Sequence, residues 1–345
     1  MSKETTMNII CDIGHPAHVN FFKSALIRLS EEGHTVTIIG LNRGRLQDII
    51  RREFRDFRIR FVGKHRGGKL SIVFEANVAK FLHLLYILRN EKCDIGISVG
   101  SITLGLALKF YGKPNIQFDD DPERKLNVFL EKLTSTELYF PPVTSPNGKI
   151  RIMNSLKEWA YLSPEYFSPD KQVLKEYNLS PYRYLFVREI STKSFNYNRQ
   201  HPFAVATFAQ KLPSRFKVVF SLEDKSALSQ YPPDWILLEE PVRDIHSLIY
   251  YSKVAISSGD SIAREGALLG VPSIYCGQRK MKANQVLCKK GLLFVKAPDD
   301  VPECVGNIIA GEIRVDDQEK FRHKLMHDWE DVTGSIIRKI GYYAK

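Results

Sequence analysis

The segment from Val254 to Tyr275 constrains this chain more than any other: a short apolar run ends in Ser257-Ser258-Gly259, and Asp260 to Leu269 carries helical spacing. Gly270-Val271-Pro272 then closes the helix before another apolar run. A strand, a tight turn, one helix and a buried strand in so few residues form a parallel crossover unit. The helix start presents amides without partners and the positive end of its dipole, so a phosphate can settle there if small residues let it approach. Glu265 lies one turn further on, where it can accept hydrogen bonds from a ribose diol. Phosphate and sugar hydroxyls side by side describe a nucleotide sugar.

The same alternation runs through the chain. Met7–Ile13, Thr35–Gly40, Phe57–Val62, Ile95–Val99, Pro114–Phe118 and Glu137–Phe140 read as strands, the last of their half. Helical stretches over Val19–Ser30, Arg45–Phe54, Leu70–Arg89, Thr103–Phe110 and Leu126–Leu133 separate them. Pro141-Pro142 and Ser145-Pro146-Asn147-Gly148 break the pattern. It resumes with strands at Tyr184–Val187, Lys217–Phe220, Trp235–Leu237, Val254–Ser257, Ser273–Tyr275 and Leu292–Val295, and with helices at Phe203–Lys211, Ile245–Tyr251 and Ala263–Leu269. The expected fold class is α/β, two doubly wound Rossmann-like domains facing a central cleft. Its parts are an acceptor domain over 1–160, a nucleotide-sugar domain over 161–320, and a helix over 321–345 packing across both. At 345 residues, two cores are the better expectation than one.

Net charge is +11, concentrated between Arg43 and Lys69, where ten Lys/Arg face only Asp48, Glu53 and Asp56. That stretch suits an anionic membrane surface or a lipid-linked phosphate, and equally a solvated helix face. No nucleic-acid motif accompanies it, so nucleic acid is not an expected partner. No run approaches the length of a membrane span, and the first residues lack the apolar core of a signal peptide. Five widely spaced cysteines suggest reduced thiols in the cytoplasm, peripheral to the membrane at most. No CxxC pair supports zinc, and neither a metal nor another cofactor is expected.

Ser258-Gly259 and Arg264-Glu265, in this order of elements, resemble the glycosyltransferase-B superfamily, which includes the non-hydrolysing UDP-N-acetylglucosamine 2-epimerases. The likeness spans nearly the whole chain. Asp12-Ile13-Gly14-His15-Pro16-Ala17-His18, Phe118-Asp119-Asp120-Asp121, Lys157 to Leu162 and Ala263 to Pro272 are similar, more closely, to a prokaryotic domain family of unknown function with that architecture. The superfamily implies that Ser258, Gly259 and Ser261 contact phosphate and Glu265 ribose. Asp260 departs from the pattern, because a small residue is usual there and a carboxylate repels a diphosphate; an N-cap role reconciles it. Of the epimerases' acid/base positions, one is Gly100-Ser101 here and another is Phe186-Val187-Arg188-Glu189, so two of three groups are missing and epimerisation by that route is disfavoured.

The superfamily also implies a histidine base after the first strand. His15 is the nearer match, and its alternative is a backbone contact at the strand exit. His18 follows as an acceptor-side residue. Among Asp119, Asp120 and Asp121 one functional carboxylate is expected, Asp119 or Asp120; the alternative is helix capping before Pro122, which suits Asp121 best. Arg188 can fork onto diphosphate oxygens or remain in a surface ion pair, and Lys193 and Arg279 are weaker candidates. Gly67-Gly68, flanked by cations, can turn amides toward an acceptor's phosphate or form an ordinary turn. The expected activity is glycosyl transfer from a nucleotide sugar, a UDP-sugar first, to a glycan or lipid-linked acceptor. Epimerase or hydrolase chemistry, or nucleotide-sugar binding without catalysis, are the alternatives.

Overall fold

The computed structural model describes residues 6–42, 46–64, 74–192, 202–239, 242–312 and 317–344. Its chain divides into two compact units, Met1–Tyr161 with Trp329–Lys345, and Leu162–Asp328. Each is built on one parallel sheet.

The first unit contains β1 (Asn8–Ile13), β2 (Thr35–Asn42), β3 (Arg58–Lys64), β4 (Ile95–Val99), β5 (Asn115–Phe118), β6 (Glu137–Phe140) and β7 (Ile150–Ile152). They lie in the order β3-β2-β1-β4-β5-β6-β7 and every pair is parallel. The order reverses between β1 and β4. Right-handed crossovers therefore place the helices Pro16–Glu31 and Leu46–Glu53 on one face, and Lys80–Asn90, Ile102–Phe110 and Lys125–Thr134 on the other. Ile10, Ile39 and Val62 form one core with Leu84, Ile87, Leu104 and Leu108. Phe21 and Phe22 of the first helix meet Phe118 edge-on, with ring centroids 5.2 and 6.0 Å apart.

The second unit contains β8 (Tyr184–Glu189), β9 (Lys217–Leu222), β10 (Ile236–Leu237), β11 (Val254–Ser257), β12 (Ser273–Tyr275) and β13 (Leu293–Val295), in the order β10-β9-β8-β11-β12-β13. All neighbours run parallel, and the reversal falls between β8 and β11. Leu185, Val187, Val218, Phe220, Val254 and Ile256 pack with Val205, Phe208, Val301 and Val305. Buried on both faces, these strands read as apolar runs rather than alternating ones.

Several expected elements are corrected. Strand β7 follows the proline-rich break, its three residues too few to carry a period. The helix expected over Leu70–Arg89 is, among the described residues, a wide π-type turn at Phe74–Ala79 leading into Lys80–Asn90. Phe203–Lys211 is mostly turns, with one short 3-10 turn at Ala209–Lys211, because Phe203 takes a φ of 60° that no helix accepts. In place of the single helix expected over 321–345 there are two helices, Gln318–Asp328 and Val332–Gly341. Asp331 caps the second, accepting from the Gly334 amide at 3.0 Å. Among the described residues no helix is long and apolar enough to cross a membrane.

Candidate functional site

In an open parallel sheet, ligands bind outside the carboxyl ends of the strands where the strand order reverses. Each unit has one such place.

In the first unit, β1 delivers Asp12 and then Gly14-His15 to this point, and β4 delivers Gly100-Ser101. Asp12, 1% exposed, accepts from Lys80 Nζ at 2.6 Å and from the Ser101 hydroxyl. Ser101 Oγ also caps the helix Ile102–Phe110 through the Leu104 amide. The second oxygen of Asp12, Oδ1, is buried without a hydrogen-bond partner.

His15 stands exposed at the N-cap of the helix Pro16–Glu31, where Pro16 fits the first helical position. Its Nδ1 accepts from the Ala17 amide at 3.2 Å, so the neutral ring carries its proton on Nε2 and offers a donor there. The His18 ring centroid lies 5.8 Å from that of His15. Withdrawal from water, followed by the charges of His15, Lys157 and Lys80, holds the His18 pKa well below its ordinary value. The ring is neutral at pH 7.

Of the three aspartates, Asp119 is spent on the turn: Oδ1 accepts from the amides of Asp120 and Asp121 at 2.7 and 3.1 Å, and Arg124 stands 3.4 Å away. Asp121 pairs with Arg124 at 3.2 Å and does not cap the next helix, whose cap position is Arg124 without a side-chain bond. This corrects the expectation for Asp121. Asp120 pairs with Lys157 Nζ at 2.7 Å. Behind them lies Glu131, fully buried against the Asp119 carboxyl. Burial and the Asp119 charge push its pKa up to about 9. It holds its proton at pH 7.

In the second unit the ends of β8 and β11 are tied by Ser258 Oγ, which accepts from the Ile190 amide at 3.0 Å. Ser257 Oγ accepts from the Gly259 amide at 3.0 Å and donates to the Gly259 carbonyl at 2.7 Å, folding the turn on itself. A Cβ at Gly259 would lie 2.6 Å from Ile190 Cγ2, so a larger residue would have to displace that side chain.

Gly259, not Asp260, occupies the cap position of the helix Asp260–Leu268. Asp260 is the first helical residue, 2% exposed, and its Oδ1 accepts from the Ser261 amide at 3.1 Å. Oδ2 faces two guanidinium groups, Arg279 at 3.1 Å and Arg264 at 3.7 Å. The expectation of a capping aspartate is therefore corrected to a buried anion between two arginines. The pairing offsets the repulsion a diphosphate would otherwise meet.

Glu265, largely buried, pairs through Oε2 with His246 Nε2 at 3.2 Å. Burial opposes the imidazolium, yet the Glu265 charge and hydrogen bond outweigh it and raise the His246 pKa. Arg188 is committed to the end of β9, donating to Ser221 Oγ at 2.6 Å and to Glu223. Glu223 also accepts from the Ser191 amide at 2.8 Å. Arg279 is thus the cation closer to the helix start. A hollow of about 510 Å³, lined in part by Arg279, Lys280, Asn284, Lys296 and Pro298, opens beside it. Asn284 Oδ1 accepts from Arg264 at 3.2 Å, while its Nδ2 is buried without a partner.

His15, His18 and Asp120 are brought together in the first unit with Asp119 behind them, and Ser258, Gly259, Ser261 and Glu265 gather in the second. Arg188 is turned to Glu223. Gly67, Gly68 and Lys193 lie outside the described residues. Sequence reasoning missed Asp12, Lys80, Ser101, Lys157, Glu131 and His246. Asp12 alone carried a signal, as an acid at the end of an otherwise apolar strand.

A family model described as a protein of unknown function, DUF354, matches residues 143–345. An uncharacterized protein of Methanocaldococcus jannaschii is 22% identical over 291 residues, 78% of this chain and 82% of its own. Among solved structures, the spinosyn forosaminyltransferase SpnP is similar with a TM-score of 0.70 at 11% identity, covering 99% of this chain and 100% of its own. The UDP-GlcNAc 2-epimerase from Neisseria meningitidis, solved bound to UDP-GlcNAc, gives a TM-score of 0.64 at 14% identity over 98% and 99% of the two chains. The shared fold is α/β, with the two Rossmann-like domains of the GT-B architecture.

Proposed function

The chain belongs to the DUF354 family of proteins of unknown function, and we propose that this member transfers a sugar from a nucleoside-diphosphate donor to a hydroxyl acceptor. The observation that carries this reading is the start of the helix Asp260–Leu268. The positive end of the helix dipole, Ser258 and Ser261, and the Arg279 guanidinium meet there beside a hollow of about 510 Å³, within the size range of small-ligand sites. The donor's diphosphate takes the helix start, and its ribose takes Glu265, sharing the carboxylate with His246. UDP is the first nucleotide to try, because a structural neighbour was solved with UDP-GlcNAc.

In the reaction the acceptor oxygen gives its proton to a carboxylate and forms a bond to the anomeric carbon, as the bond from that carbon to the diphosphate breaks. Charge accumulates on the departing diphosphate, where fixed amides and Arg279 stabilise it without reorganisation. A carboxylate is the base in this reading. Asp120 suits this role better than His15, whose Nδ1 is engaged at the helix cap and whose Nε2 carries the proton. His15 then acts as a donor to an acceptor oxygen, and a glycan or lipid-linked alcohol is the class of acceptor. Epimerisation is the weaker reading: Glu189, the carboxylate at the end of β8, accepts from the Val205 amide and the Tyr231 hydroxyl, and is 3% exposed.

A thermal-shift panel of UDP, GDP, CMP, dTDP and ADP tests the proposal. Binding at about 100 times Kd adds roughly 2.7 kcal/mol, a shift of several degrees, and one base should stand out. No stabilisation by any member would sink the reading. Product formation from a nucleotide sugar without acceptor would replace transfer with hydrolysis or isomerisation.

A further inference from the structure

The helices Lys80–Asn90, Ile102–Phe110 and Lys125–Thr134 lie side by side on one face of the first sheet. The first two bury apolar residues against the strands, the third packs there through Glu131, Thr134 and the half-buried Val128, and each also carries apolar residues outward. On the first, Leu82 and Tyr86 are 59% and 68% exposed, one turn apart. On the second, Leu106 and Phe110 repeat that spacing at 45% and 71%. On the third, Leu126, Phe129 and Leu133 are 70%, 58% and 47% exposed. The middle helix is apolar on nearly every side, a composition that belongs to a helix covered on every side.

A single exposed leucine means nothing, but seven large apolar side chains on three adjoining helices do. An aromatic side chain presents about 150–250 Å² and a leucine somewhat less, so at these exposures the layer offers on the order of 600–800 Å². The largest apolar patch of a typical monomer is about 300–600 Å². A standard protein interface takes about 800 Å² from each partner. The layer also has the composition of an interface core, leucines and aromatics in the middle with Arg89, Lys109 and Lys125 at the helix ends.

Adsorption to an anionic membrane needs apolar and cationic groups on one surface. The cations on this layer are confined to helix ends, and the described helix of the basic stretch lies elsewhere. The helix Leu46–Glu53, from the chain's most basic stretch, packs against Pro16–Glu31 on the opposite face of the sheet. An apolar layer with its charges at the rim instead complements itself across a two-fold axis, where the same patch serves both partners. We propose that this layer is the interface of a homodimer. The inference stands independently of the sugar-transfer reading.

Sedimentation equilibrium at micromolar concentration tests it. The expected particle has twice the 39.6 kDa of the chain. The pair Phe110→Glu and Phe129→Glu places charges where the lone chain is already exposed. It should weaken self-association by about 100-fold or more while circular dichroism and the melting of the monomer stay native-like. Leu228→Glu, at an exposed apolar site of the second domain, should remain dimeric. A monomeric wild type, or a doubly substituted chain that still dimerises, would overturn the proposal. So would wild-type protein that co-sediments with phosphatidylserine vesicles through these residues, which would assign the face to lipid.

Discussion

Asp260 shows how one side chain can change meaning between sequence and structure. Read along the chain, an acid at a helix start is a cap. In the fold, its carboxylate lies between Arg264 and Arg279, the latter brought back across 19 residues by the turn after β12. The i,i+4 spacing of Asp260 and Arg264 was legible, but the return of Arg279 was not, because no periodicity encodes a loop contact. Arg264 is 1% exposed, so Asp260→Ala strands a buried charge and should cost about 3–5 kcal/mol in denaturant unfolding. A loss under about 1 kcal/mol would show that the pair does not hold the helix start.

Glu131 offers a pH test at the same scale. Its carboxyl titrates near 9 in the fold and near its ordinary value when unfolded. Below that ordinary value both states are protonated and nothing is lost. As pH rises toward 9 the unfolded chain releases the proton first, and stability falls. Glu131→Gln should therefore stabilise the protein more at pH 8 than at pH 5, measured as the change in melting temperature. An equal shift at both pH values would contradict the buried, protonated assignment.

At the scale of elements, strands and turns were legible where apolar runs met glycine, and illegible where an element was too short to carry a period. Ser257 to Leu269 announced its strand end, turn and helix, and the parallel sheet followed from the alternation around it. Strand β7 did not, nor did the break between Gln318–Asp328 and Val332–Gly341, where helical spacing runs on through Trp329 to Asp331. Two glycines test the packing between elements. A Cβ at Gly277 would fall under 3.0 Å from the Ser258 carbonyl and from the Tyr275 hydroxyl, so Gly277→Ala should cost more than about 2 kcal/mol and disturb the turn that holds Ser258. Gly306, inside the helix Val301–Ala310, has open space around it. Gly306→Ala should add about 0.5–1 kcal/mol. Equal effects would mean that the ends of β11 and β12 are not the tight place described.

For the whole molecule, the alternation of strands and helices was enough to expect two doubly wound domains, because parallel crossovers admit few other arrangements. The strand order then located both candidate sites through its reversals between β1 and β4 and between β8 and β11. What could not be read was which charged groups cancel. Lys80 and Asp12 are 68 residues apart, Lys157 and Asp120 are 37 apart, and only the closed fold shows that each pair forms. His246 was hidden for the same reason, a common residue type on a short helix whose partner Glu265 lies across the fold.

Calorimetric titration of UDP into the wild type and into Glu265→Ala measures the claim beneath all of this, that the second domain holds a nucleoside diphosphate at the start of the helix Asp260–Leu268. The account predicts saturable binding to the wild type, and affinity about tenfold or more weaker in Glu265→Ala at unchanged fold, the loss of a hydrogen-bonded charge. Identical affinities would remove Glu265 from the site. A wild type that takes up neither UDP nor any other nucleoside diphosphate would contradict the account.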